Sequence, residues 1–158
     1  MDREKVVQVV EKACPFARKA GMHIEEIDER KGRVALILED NPENLNAFGL
    51  VHAGAICGFV ETAGGMAIMR HIDPREVILL NTVFNIRFSH PPRGDLRCSA
   101  RFTNEEADAL MEEFEEVGRA DKAIDLKVFD SSGNLVAQAQ ATFRLISTPE
   151  KYKKHFSG

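Results

Sequence analysis

From Val51 to Met69 the chain reads Val-His-Ala-Gly-Ala-Ile-Cys-Gly-Phe-Val-Glu-Thr-Ala-Gly-Gly-Met-Ala-Ile-Met, nearly all apolar or tiny, with Glu61 as the only ionisable carboxylate. A helix that is apolar on every side has to be buried, in protein or in a bilayer. The length approaches a membrane span, but four glycines, His52 and a central glutamate argue against insertion. A charge at a helix centre costs about 2.5–3.5 kcal/mol on insertion scales. The segment therefore predicts a helix over about 50–72, enclosed by the rest of the protein.

At 100° per residue, Gly54, Gly58, Glu61 and Gly65 fall in a stripe about 60° wide. The glutamate then projects from a ribbon that carries no other large side chain. Each interior glycine costs about 1 kcal/mol relative to alanine, so the ribbon has a purpose, either close packing or access for a ligand. A pure packing face has no use for a carboxylate that is costly to bury unpaired. Two readings of Glu61 stay open: a chemical role, or a structural one in which an arginine or backbone amide satisfies it. His52 stands at the helix entrance, where free N–H groups and the positive dipole end favour an anion or a carbonyl oxygen. That arrangement outlines an oxyanion site, with a carboxylate two turns on to attack or to activate water. The imidazole of His52 itself reads as holding the preceding loop.

The flanking chain supplies the enclosure. Val6, Val9, Val10, Ala13 and Ala17 have helical spacing, with Asp2 as cap and Pro15 and Gly21 near the end, predicting an amphipathic lid helix over 2–20. Residues 23–29 and 33–39 read as a hairpin around Lys31-Gly32, and 77–90 as a long strand with Leu80, Phe84, Ile86 and Phe88 on or near one face. Leu96, Cys98, Ala100 and Phe102 alternate with polar residues, as do 123–130 and 135–146, which are joined by Ser131-Ser132-Gly133-Asn134. Between these strands Asn104 can cap a helical insertion over about 104–117, with Ala107, Leu110, Met111, Phe114 and Val117 as its apolar stripe and a run of acids as its wet face. The order predicts one α+β domain over residues 1–158, an antiparallel sheet around a central helix.

Composition removes several function classes. A formal charge of −4 opposes binding to nucleic acid. Three separated cysteines suit neither a disulfide framework nor a thiolate zinc site, and a reducing cytoplasm fits them. No secretory core follows Met1. Cys57 and His52 lie about 140° apart on one helix and cannot pair as nucleophile and base. No metal spacing, nucleotide loop or serine-nucleophile elbow occurs, so the chemistry expected is free of metal and cofactor.

Two separated motifs carry a resemblance. Asn46-Ala-Phe-Gly49-Leu-Val-His52-Ala-Gly54 with Glu61-Thr-Ala-Gly-Gly, and Phe88-Ser-His-Pro91-Pro-Arg-Gly94-Asp95-Leu96, resemble the hotdog-fold acyl-CoA thioesterases of the phenylacetic-acid-pathway (PaaI-like) type. The resemblance is strongest over residues 41–102. It implies a hotdog fold, an acyl-CoA substrate, no separate cofactor, and self-association as a dimer or tetramer. It places the backbone N–H of Ala53, a glycine in the family pattern, against the thioester carbonyl, next to His52 and Gly54. Glu61 becomes nucleophile or general base, and Asn46 orients Glu61 or the water. Asn81 stands where the family has a partner-supplied Ser or Thr, and Gly58, Thr62 and Arg93 join it as substrate contacts. CoA contacts are expected from some of Arg87, Arg93, Arg119, Lys122, Lys151, Lys153 and Lys154. Two other readings remain: a pocket that binds acyl-CoA or lipid without turnover, and a hotdog hydratase or dehydratase.

Overall fold

The computed structural model describes residues 7–153. Six strands, β1 (Met22–Asp28), β2 (Arg33–Leu38), β3 (Val77–Phe88), β4 (Leu96–Arg101), β5 (Arg119–Asp130) and β6 (Leu135–Ser147), form one antiparallel sheet in the order β1-β2-β4-β5-β6-β3. Four helices accompany them: α1 (Pro15–Ala20), α2 (Ala53–Met69), α3 (Asn104–Val117) and α4 (Glu150–Lys153). This is the hotdog architecture, α+β, with α2 along the inner face of the sheet.

Period-2 alternation explains which face the sheet turns inward. On β5, Ala120, Ile124, Leu126, Val128 and Asp130 are buried while most of their neighbours are exposed. Leu96, Cys98 and Ala100 do the same on β4. Onto that face α2 packs Ile56, Phe59, Val60, Ala63, Met66, Ala67 and Ile68. Full burial of each large side chain stabilises by about 1.5–3 kcal/mol, so this seam holds the helix in place without any ion pair. Among the described residues, no helix is long and apolar enough to cross a membrane.

Several expectations change. The lid helix over 2–20 is interrupted: a π-helical turn spans Gln8–Ala13, and α1 restarts at Pro15 because proline suits a first helical position but lacks the N–H to continue a helix. Its capping residue Asp2 lies outside the described residues, as does Val6. The central helix is shorter than 50–72. On the insertion, Thr103 and not Asn104 is the cap: its hydroxyl accepts from Glu106 N–H, and the Glu106 carboxylate accepts from Thr103 N–H. Glu106 also takes a 2.8 Å hydrogen bond from Lys122 Nζ, so the acidic run is tied to β5 as well as solvated. Val117, the last residue of the expected apolar stripe, is 66% exposed.

Strand β3 departs furthest from a buried strand. Among the described residues only β6 pairs with it, a register shift falls between Asn81 and Val83, and Leu80, Val83 and Phe88 are all exposed. Phe84 and Ile86 still pack on the core; Leu80 and Phe88, expected beside them, do not.

Candidate active site

The site begins with the entry to α2. The loop before it turns at Pro42–Asn44, where Asn44 is buried and its Nδ2 donates to Ala20 O at 2.7 Å. His52 N–H donates to Asn44 O, and the His52 imidazole caps the helix, Nδ1 accepting from Gly54 N–H at 2.8 Å. A Cβ on Gly54 would lie 2.9 Å from Nδ1, which is why a glycine stands there. The cap has a chemical consequence. Gly54, expected to serve the oxyanion, has its N–H occupied, while among the described residues no hydrogen bond engages the N–H of Ala53.

Asn46 completes this end. Its Oδ1 accepts from Phe48 N–H at 2.9 Å and Leu50 N–H at 3.2 Å, so the side chain presents the amide Nδ2 as its remaining donor. An Asn46 with its oxygen committed is poorly placed to accept a hydrogen bond from a water or from protonated Glu61. Asn46, Ala53 and Ile56 line a cleft of about 300 Å³ whose other wall is Phe88, Ser89, His90 and the two prolines after it.

Glu61 is half-buried, accepts no hydrogen bond and forms no ion pair among the described residues. Burial pushes its carboxyl above the ordinary range. The alternative in which an arginine or amide satisfies it finds no partner here. Glu61 does not line the cleft: eight residues separate it from Ala53, about 12 Å along the helix axis.

The remaining candidates disperse. Gly58 is roofed by the ring of Phe16 on α1: a Cβ there would sit 2.6 Å from its Cε1 and Cζ. The ring covers it, where an open substrate contact is expected from the sequence. Thr62 Oγ1 donates to Gly58 O at 2.8 Å, inside its own helix. Asn81 is exposed on β3, opposite Phe143 in register. Arg93 is exposed in the turn after β3, its carbonyl accepting from Ser131 Oγ at 2.9 Å, and is not in the cleft. Lys154 lies outside the described residues. Burial pushes the thiols of Cys57 and Cys98 up, Cys98 to about 12, which disfavours the thiolate at both. Among the described residues no three His, Cys, Asp or Glu side chains are grouped as metal ligands are. A larger hollow of about 480 Å³ among Arg33, Arg101 and Lys127 contains none of these residues.

Sequence reasoning passed over two contributors. Phe16 gave no signal beyond an aromatic after Pro15, and His90 stood within a quoted motif without a role.

Comparison with known proteins agrees with the architecture. The sequence matches the family described as a domain of unknown function, DUF4442, over residues 3–145. The crystal structure of PA5026 from Pseudomonas aeruginosa, a protein of unknown function described as a probable thioesterase, superposes with a TM-score of 0.81 at 27% identity, covering 93% of this chain and 97% of that one. A single-residue variant of the thioesterase PA1618, also from Pseudomonas aeruginosa, gives 0.73 at 18% identity, covering 93% and 95%. Thioesterase HI1161 from Haemophilus influenzae gives 0.74 at 16% identity, covering 95% and 94%. No curated protein matches the sequence.

Proposed function

Starting from a chain that belongs to the DUF4442 family and has the fold of solved thioesterases, we propose that it hydrolyses acyl-CoA thioesters to a carboxylic acid and free CoA. The observation that carries this reading is Glu61, a half-buried carboxylate with a raised pKa and no partner among the described residues, on the helix whose exposed N-terminus keeps one N–H free. A perturbed carboxylate without a partner is a candidate for a functional site.

The thioester oxygen accepts from Ala53 N–H and Asn46 Nδ2, both beside the cleft, and the helix dipole adds to their effect as charge develops on that oxygen. Glu61 then acts on the carbonyl carbon, as base for water or as nucleophile. One copy cannot do both. With about 12 Å of helix between Ala53 and Glu61, the carboxylate comes from a second copy. The exposed edge of β3, with Leu80, Val83 and Phe88, and the 87%-exposed Phe48 beside the cleft supply the apolar surface for that copy. A dimer thus carries two sites, each split between subunits. CoA contacts fall to exposed Arg and Lys side chains such as Arg87 and Arg93, and the chemistry needs neither metal nor cofactor.

Thiol release from a panel of acyl-CoA esters tests the activity, and a mixing experiment tests the geometry. Ala53→Pro removes the N–H at a first helical position that proline suits, after a His52 already extended at ψ 132°. Glu61→Gln removes the carboxylate. Each variant alone is inactive. Co-refolded in equal amounts, they recover about a quarter of the wild-type rate, because half the dimers are mixed and each mixed dimer has one intact site of two. No recovery would place both groups on one copy.

A further inference from the structure

The segment leaving β3 forms the wall of the cleft that faces Asn46 and Ala53, and His90 is its one titratable side chain. The imidazole is 39% exposed, and its Nε2 lies 3.8 Å from Oδ2 of Asp130, whose side chain is wholly buried. Asp130 ends β5. The turn that follows holds its carboxylate: Oδ1 accepts from Ser132 N–H at 3.0 Å and Asn134 N–H at 2.9 Å, and Oδ2 from Asn134 Nδ2 at 3.2 Å. Burial alone would raise the Asp130 carboxyl, but the Asn134 and Ser132 hydrogen bonds outweigh it and hold the group ionised below the usual carboxylate range. No lysine or arginine pairs with it among the described residues. The turn accounts for the anion; it does not account for an imidazole placed on the same carboxylate at the mouth of the cleft.

We infer that His90, on the wall of the cleft with its Nε2 3.8 Å from Asp130 Oδ2, is the proton donor to the leaving thiolate. The inference rests on the thioester-hydrolase reading, and it assigns the half of the reaction that Glu61 and the helix N-terminus leave uncovered. Water adds to the carbonyl carbon and gives its proton to the Glu61 carboxylate. The tetrahedral oxyanion then re-forms C=O, the C–S bond breaks with its electron pair on sulfur, and that sulfur takes the proton of the His90 imidazolium. Solvent returns the proton from Glu61 to His90, so the balance is thioester and water to acid and thiol. A general acid has to stand within reach of the leaving atom, and His90 is the one titratable side chain lining the cleft.

The test varies the leaving group. The same acyl chain is offered as its CoA ester and as its thioester with 5-thio-2-nitrobenzoate, an acidic aryl thiol that departs without protonation. His90→Gln, with a wild-type thermal melt, loses about 100-fold in kcat on the CoA ester and nothing on the aryl thioester. As a second variant, His90→Ala regains CoA-ester turnover on addition of imidazole. Equal losses on both esters, or a raised KM at unchanged kcat, would overturn the assignment while leaving the hydrolase standing. Wild-type protein that releases neither thiol would remove the hydrolase reading, and the proton donor with it.

Discussion

Three glycines of α2 can be ordered by what lies above them, and the order separates packing from ligand access. A Cβ on Gly65 would meet Phe143 at 3.6 Å and Leu79 at 3.9 Å, ordinary contacts, so Gly65→Ala keeps the full propensity gain of about 1 kcal/mol. On Gly64 the Cβ would sit 2.9 Å from Phe143 Cε2, a ring that is 1% exposed and walled in. Overpacking of that kind costs about 1–3 kcal/mol, so Gly64→Ala is destabilised by up to about 2 kcal/mol after the propensity gain. Gly58 lies between them. Phe16 must leave its seat, but it is 53% exposed and free to swing outward. It gives up about half the burial value of a phenylalanine, about 1 kcal/mol, which cancels the propensity gain. Urea midpoints at one fixed protein concentration, with unchanged slopes, give these differences directly. The expected order is Gly65→Ala above wild type, Gly58→Ala level with it and Gly64→Ala below. Gly58→Ala falling as far as Gly64→Ala would refute the reasoning, because Phe16 would then be a fixed core element and not a movable cover one turn from Glu61.

Glu61→Gln keeps the fold and lowers kcat by about 10²–10⁴-fold in a thiol-release assay. Because burial raises the Glu61 carboxyl, folded protein holds its proton to higher pH than unfolded protein does, and wild type loses stability relative to Glu61→Gln as pH climbs through and above the ordinary carboxylate range; melting curves that stay parallel there would contradict the raised pKa. If β3 pairs two copies as proposed, Val83→Lys on its 49%-exposed edge leaves a monomer in light scattering and abolishes turnover with it. KM for the CoA ester rises with ionic strength while kcat holds, since exposed phosphate contacts are screened by salt; a flat KM removes the electrostatic patch. Chelation leaves the rate unchanged.

How much of this was legible depended on whether the signal was local. The central helix and its single carboxylate could be read directly, because an apolar run means the same thing in any surroundings, but whether a distant partner satisfied Glu61 could not. The alternating strands were equally plain. The glycine stripe was not, because a glycine under a capping imidazole at Gly54, under a loose ring at Gly58 and under a core ring at Gly64 looks identical in one dimension. The covering atoms come from two, 42 and 79 residues away. Thr103 and Asn104 are both good caps, and only the reciprocal bond from Glu106 chooses between them. His90 and Asp130 share the same difficulty at a spacing of 40 residues, closed only when β5 ends beside the exit of β3.

The strand β3 shows what such non-local facts do to function. Its composition reads as a core strand, and in a single copy half of that promise is unmet: Phe84 and Ile86 reach the core while Leu80, Val83 and Phe88 face outward on an edge that only β6 completes among the described residues. An apolar edge strand of 12 residues is an aggregation hazard unless something pairs with it. The same single copy leaves Ala53 and Glu61 about 12 Å apart on one helix. The second copy proposed above would relieve both problems at once, covering the edge and bringing a carboxylate to each cleft. Disrupting β3 pairing should therefore abolish turnover with every catalytic side chain still in place, and a monomer that kept full activity would break the link between the edge and the chemistry.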